Sequence, residues 1–377
     1  MKSEWTYRPL GELVSFASGG TPSKKRDDYW DGTIPWISAK TLKTENIDTS
    51  DLFITEEGLK AGSKIAPKGS ILLLTRGSGL FNGIPIARVE KDVAFNQDIK
   101  CLDSYGEVEN EFIFYWLLSQ KDYLMAKVGV TGIGAGKFDL DFLQKLMIPI
   151  PSERERKSIV GFASSISEKI RCNAKVNDNL QQQAVTLFKS WFVDFSLFGG
   201  TVPENWEDTT LENITTLITR GIAPKYSNDS DQTVINQKCI RNHTIDLSLA
   251  RSHTPKAINE KWLQFGDLLI NSTGDGTLGR VAQVWFAPKA LTVDSHVTIV
   301  RPAREELIFY IGLWGILHEK EIESLHTGST GQTELPRDRV KMLKLLLPDN
   351  ISLSRFNSII APMTSTIISN QEENQKN

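Results

Sequence analysis

KGSILLLTRGSG (68–79) and FGDLLINSTGDG (265–276) share one outline: a short polar start, a run of aliphatics and a Gly-rich polar tip. The aliphatic runs fall far short of the ~20 residues that a membrane span requires. They read instead as buried strands closed by turns. Outward from this pair the chain matches itself at a displacement of roughly 197 residues, with small gaps. Trp5 and Leu10-Gly11-Glu12-Leu13 meet Trp206 and Leu211-Glu212-Asn213-Ile214. ISAKTLKTENID (37–48) meets INQKCIRNHTID (235–246), FNQDIKCL (95–102) meets VDSHVTIV (293–300), and FIFYW (112–116) meets LIFYI (307–311). The Gly/Thr-rich loops TGIGAGKF (131–138) and TGSTGQTEL (327–335) follow, then the apolar runs LMIPIP (146–151) and LKLLLPD (343–349). A collinear series of this kind is an internal duplication. Matched positions are mostly apolar or Gly, whereas the polar letters at the tips differ.

Composition agrees with two folded domains. The chain has 377 residues, 40% hydrophobic and 24% charged, as in globular proteins. MKSEWTYRPL contains no apolar signal-peptide core. The three cysteines, Cys101, Cys172 and Cys239, lack metal or redox spacing, which predicts reduced thiols in a cytoplasmic protein with no membrane association. A net charge of −3 argues against coating nucleic acid by bulk charge. It leaves room for a few basic side chains placed in a groove.

Each repeat reads as an α+β globule, mostly strand, with one helix around 110–127 and 305–325. From Arg154 the period changes. Ile159, Ala163, Ile166, Ile170, Asn173, Asn177, Leu180, Ala184, Leu187 and Trp191 follow 4-3-4-3 spacing on a helix of about 37 residues, ~55 Å long. The second copy repeats the seam with Phe356, Ile360, Met363, Ile367, Asn370, Asn374 and Asn377. Polar seam positions fix register at some cost in stability. Pro362 is expected to kink this second helix or delay its start. The fold expected is therefore α+β: two similar globules related by pseudo-twofold symmetry, each followed by a long helix, the helices forming an antiparallel coiled coil. The boundaries are 1–151, 152–196, 197–350 and 351–377. Such symmetry suits a reader of duplex DNA, whose units enter grooves about a helical turn (~34 Å) or more apart.

The residues that mark a family are LGELVSFASGGTPS (10–23), YWDGTIPWISAKTL (29–42), KGSILLLTRGSG, AFNQDI, IPIPSERERKSIVGF (148–162) and LFKSWFVDF (187–195). In this order, and duplicated, they resemble the specificity subunit of type I restriction–modification enzymes along nearly the full length. The resemblance implies that each globule is a target-recognition domain reading one half of a split double-stranded DNA site. It implies helices that set the unread spacer and dock two methyltransferase subunits, with a motor-nuclease subunit joining through that complex. It also implies a subunit that catalyses nothing and needs no cofactor. The second helix pattern runs to Asn377, the counterpart of Leu180, so a full second dock would need the equivalent of 181–195. A two-headed scaffold, or a subunit of a modification-only system, remain as alternative classes.

The residues independently argue against catalysis. No Pro-Pro dipeptide exists for an amino-methyltransferase loop. GIGAGKF (132–138) departs from a phosphate loop at Thr131 and Phe138. The five histidines lack metal spacing, with His318-Glu319 missing the second histidine of H-E-x-x-H and Asp294-Ser295-His296 too local for a triad. No metal site is expected.

DNA contact requires phosphate clamps and side chains that reach base edges. Candidates in the first globule are Thr21, Ser23, Lys24, Lys25, Lys40, Lys43, Arg76, Ser78, Asn82 and Lys137. In the second they are Lys225, Gln237, Lys238, Arg241, Asn242, Thr273, Arg280, Ser329 and Gln332. Arg76 and Arg241 suit guanine, Gln237 or Asn242 adenine, and a solvated loop charge is the plain alternative for each. Trp191, Phe192 and Phe195 are expected to contribute to the methyltransferase dock, or else to pack on a globule.

Overall fold

The computed structural model describes residues 5–132, 134–227, 229–274, 276–328 and 333–376, the side chains of 375 and 376 excepted. The chain divides into two compact units, Met1–Glu168 and Lys169–Asn377. In the first, a five-stranded sheet runs in the order Val14–Ser18, Ile99–Ser104, Ile71–Leu74, Ile86–Val89, Asn46–Ile47. The pairs are antiparallel except the last. Ile71 to Leu74 are each 0% exposed. Burial on both faces explains why this strand is a continuous aliphatic run rather than an alternating one, and each such side chain contributes ~1.5–3 kcal/mol. A second sheet orders Phe53–Ile54, Trp30–Ile37, Val93–Phe95 and Lys64–Ala66, with Val93–Phe95 parallel to Trp30–Ile37. Thr6–Pro9 pairs with Met147–Ile150 to close the unit just before the central helix.

The second unit repeats this wiring. Its main sheet orders Thr215–Arg220, Val297–Pro302, Leu268–Asn271 and Val281–Gln283. Its second sheet orders Arg251–Ser252, Thr233–Ile235 and Leu291–Val293, again with a parallel pair. Glu207–Thr210 pairs with Lys344–Leu347. The copies differ at the edge: Thr244–Ile245 forms a hairpin with Ile240–Arg241 instead of adding a fifth strand. A bulge between Thr215 and Leu217 absorbs one extra residue, which brings Gly19 and Gly221 to equivalent places. A Cβ there would lie 2.0 Å from the Phe95 carbonyl oxygen or 1.9 Å from that of Val293. Only glycine fits under that crossing strand.

The helix expected at 110–127 is two helices, Asn110–Ser119 and Lys121–Met125. That expected at 305–325 is a 3₁₀ turn, Glu305–Leu307, followed by Ile308–Leu317 and Glu319–Ser324. The break residues, Gln120 and His318, leave helical ψ. The turn this makes brings Leu124 and Ile322, both 0% exposed, back onto the cores.

The central helix spans Glu153–Phe192, 40 residues. It opens with a reciprocal cap: the Glu155 amide donates to the Ser152 hydroxyl (3.4 Å) and the Ser152 amide to the Glu155 carboxylate (3.0 Å). The C-terminal helix spans Asn350–Lys376 and neither starts late nor breaks at Pro362. Pro362 is exposed; on that side the Ser358 carbonyl left without a donor can be hydrated, which lowers the cost expected of an interior proline.

Within the second unit the two helices pair antiparallel. Asn173 donates to Asn374 Oδ1 and to Glu373 Oε2, both at 2.9 Å. Asn370 donates to Asn177 Oδ1 at 2.8 Å. At the other end Phe188, Trp191 and Phe192 surround Phe356, with ring centroids 6.0, 5.6 and 4.8 Å away. Phe356, Ile360 and Ile367 are buried, while Leu180, Ala163, Ile166, Ile170 and Met363 are half-buried. Ile159 stays 36% exposed. Asn377 lies outside the described residues.

Trp191 and Phe192, expected either to contribute to a dock or to pack on a globule, are buried. They are 8% and 7% exposed, and Phe192 packs on Trp206 and Tyr310 at 5.5 and 5.1 Å. Phe195 is half-buried against Trp206. These rings fasten the central helix to the second globule, since apolar surface of that size is most favourable when covered by the chain itself.

Candidate nucleic-acid interface

In the first unit the aliphatic strand Ile71–Leu74 delivers the chain to a polar tip. Arg76–Gly77 pairs with Gly136–Lys137, which pairs with Gly129–Val130. Arg76 and Lys137 are direct cross-strand partners. Ser78 opens a 3₁₀ turn and Asn82 closes it. Asn82 and Lys43 line one groove of ≈ 400 Å³. The Arg76 amide donates to the Asp98 carbonyl at 3.2 Å, and the neighbouring Gln97 Oε1 accepts from the Thr21 hydroxyl at 2.7 Å. Thr21, Arg76 and Lys137 are thus linked through the Gln97–Asp98 turn and the small sheet. Ser23, Lys24 and Lys25 sit exposed in the loop after Gly19-Gly20, and Lys40 is exposed on a separate turn.

The second unit gathers a different set on the same frame. Asn271, fully buried, donates from Nδ2 to the Gln237 carbonyl at 3.1 Å and so ties the 236–242 loop to the strand that leads to Thr273. Arg241 bends back: its Nη1 donates to the carbonyls of Gln237 and Ile240 at 2.7 and 2.6 Å. Burial, and then the positive charge of Arg280, push the Arg241 pKa down. That places Arg280 near it and commits part of the fork expected to read guanine to the protein's own backbone. Asn242 is exposed at φ 49°. Lys238 and Lys225 are exposed, Lys225 on a separate loop beside Tyr226. Ser329 and Gln332 lie outside the described residues.

Three tip residues escaped the sequence reading. Gln97 bonds Thr21, as above. His296 Nδ1 lies 2.7 Å from the Thr273 hydroxyl, and Glu334 bridges to Thr273 and meets Arg220 Nη1 at 2.6 Å. For Glu334 the available signal was its repeat position, which is that of the candidate Lys137; Gln97 and His296 had none. Asp294, which opens the His296 turn by accepting its amide at 2.9 Å, is 2% exposed. Burial pushes its carboxyl up, against the hydrogen bond from the His296 amide. Among the described residues no group of three or more His, Cys, Asp or Glu is placed to hold a metal ion. No helix among them is long and apolar enough to cross a membrane.

The chain thus holds two α+β units of matching topology with different polar residues at their tips. The family model described as Type I restriction modification DNA specificity domain matches residues 2–182. The chain is 25% identical to the type I restriction enzyme MjaIX specificity subunit of Methanocaldococcus jannaschii, over 98% of this chain and 89% of that protein. It is 31% identical to the EcoR124I/EcoR124II specificity subunit of Escherichia coli over 42% of this chain and 40% of that one. Its fold is similar to that of the type I restriction–modification system S subunit from M. genitalium, with a TM-score of 0.56, 15% identity, and coverage of 99% of this chain and 92% of that chain. The chain is thus similar to type I restriction–modification specificity subunits, and its residues 2–182 match the model of a DNA specificity domain.

Proposed function

We propose that this chain is the sequence-reading subunit of a type I restriction–modification complex, itself without catalytic activity and acting in the cytoplasm. Each unit reads one half of an asymmetric, split double-stranded DNA site through its tip and the loops beside it. The helices set the unread spacer and offer their outer faces to two methyltransferase subunits, to which a motor-nuclease subunit adds. The observation that carries this reading is the pairing of a shared strand order in the sheet cores with unlike tips. A shared scaffold that holds chemically different side chains at one register is what two half-sites of different sequence require. The dock is supported by exposed apolar side chains on the helices: Phe162 at 70% and Val176 at 40% on the central helix, Ile351 at 68% and Ile359 at 41% on the C-terminal one. We read them as partner-facing, since contiguous exposed apolar surface marks interaction sites.

Sequencing of modified bases in the native genome, compared with a deletion strain, tests the proposal. The expected result is one methylated motif, split by unspecified bases, with unlike halves. A continuous or perfectly palindromic motif, or an unchanged methylation pattern in the deletion strain, would overturn it.

A further inference from the structure

The two tips share a register, and one matched position reverses its charge. In the first unit Lys137 pairs across the small sheet with Arg76. At the same repeat positions in the second, Glu334 bridges to Thr273. The flanking strand matches too, since Gly129–Val130 pairs with Gly136–Lys137 and Thr327 bridges to Glu334. Both leading strands then turn at a glycine with positive φ, Gly77 at 133° and Gly274 at 106°. The frames are equivalent; the side chains are not. Arg76 and Lys137 are exposed, and among the described residues neither side chain has an ion-pair or hydrogen-bond partner. Glu334 is held by Arg220 at 2.6 Å, and Thr273 by His296 at 2.7 Å.

Equivalence of position with reversal of charge separates two roles. A phosphate clamp should be cationic in both copies, because a phosphate is present beside every base pair and a carboxylate there would be repelled. A base-reading position is free to change sign, because base edges differ in donors and acceptors. We infer that this cross-strand pair is a base-reading position in both units, set to opposite base chemistry. Arg76 takes the O6 and N7 acceptors of a guanine, with Lys137 beside it. Glu334, steadied by Arg220 and flanked by the Thr273 hydroxyl, takes a base that offers a major-groove amino group, cytosine or adenine. The inference rests on the DNA-reading function proposed above.

Selection of bound duplexes from a randomised pool, by the full chain in its methyltransferase complex, tests it. The wild type should enrich guanine at one position of one half-site, and cytosine or adenine at one position of the other. Arg76→Ala should relax the guanine preference about tenfold or more and leave the other half-site intact. Arg76→Lys, which keeps the charge but not the fork, should not restore it. Glu334→Gln should relax only the other half-site. A gain-of-preference arm guards against variants that merely lose fold: Thr273→Arg combined with Glu334→Lys should recruit guanine to the second half-site. Uniform weakening on all sequences by Arg76→Ala with its preference kept would overturn the inference and leave the DNA-reading function standing. A wild-type complex that selects no sequence would instead remove that function, and the inference with it.

Discussion

Asp349 joins a helix start to a globule core. Its carboxylate accepts the amides of Ile351 and Ser352, the Ser352 hydroxyl and the Trp206 indole N–H, at 2.8, 3.0, 2.8 and 2.8 Å. Partial burial pushes this carboxyl up, but the bonds from Ser352, Trp206 and Ile351 outweigh it and hold the pKa at about 2. An unfolded aspartate titrates near ~3.9, so protons bind the unfolded chain more readily. The contribution is therefore complete above the unfolded value and is lost as pH falls toward about 2. Asp349→Ala should lower stability by ~1 kcal/mol at neutral pH, the usual worth of an N-cap. The deficit should shrink as urea midpoints are measured down from about pH 5 to about pH 3. A deficit that stays constant with pH would contradict the assignment. The repeat match between Trp5 and Trp206 was visible in the sequence, but their unlike burial was not. Trp206 is 6% exposed and Trp5 44%. The cover over Trp206 comes from Phe192, Phe195 and Phe198, which sit next to it only once the central helix has turned onto the second globule.

At the scale of elements, the helix pair is where sequence period translated most directly into structure. Spacing of 4-3-4-3 marked Asn173, Asn177, Asn370 and Asn374 as seam positions, because side chains at those intervals share one helix face. Which asparagine meets which was not legible, since it depends on antiparallel register: Asn173 meets Asn374 and Asn177 meets Asn370. The broken helices near Gln120 and His318 were missed for a related reason. Apolar spacing continues across each break, and only the core contacts of Leu124 and Ile322 impose the turn. For the seam the energetic consequence is asymmetric. Asn177 is 8% exposed, so Asn177→Leu strands the Asn370 amide and should cost ~1–3 kcal/mol. Asn370→Leu should cost a similar amount. Replacing both removes the unmet hydrogen bond and should come close to neutral, giving a coupling of more than ~1 kcal/mol in a double-mutant cycle by chemical denaturation. Additive losses would show that the two side chains do not depend on each other.

For the whole molecule, the duplication was legible because aliphatic runs and turn glycines survive in both copies, whatever else changes. The proposed reading surface was legible only as loops. Arg76 and Lys137, or Thr273 and Glu334, are far apart in sequence and meet through cross-strand register, which composition does not carry. If reading is confined to the tips as proposed, the units should be exchangeable. The first core runs from Leu10 to Ile148, with Val160 of the central helix as a partly buried neighbour, so residues 1–151 take nearly all of it with them. Polar contacts also cross the cut: Arg156, 12% exposed, donates to the Glu109 carboxylate at 2.9 Å and to the Pro151 carbonyl at 3.1 Å. That hydrogen bond holds the Glu109 carboxyl below its ordinary range, against partial burial. An exchange that leaves Arg156 without a carboxylate partner should lose stability as well as change specificity. Replacement of residues 1–151 by those of another family member that keeps an acid at the Glu109 position should therefore give a folded chain. Methylation mapping should then show one half-site replaced, with the other half and the gap between them unchanged. Replacement of both halves, or a shifted gap with the original halves, would mean that reading is not divided between the units.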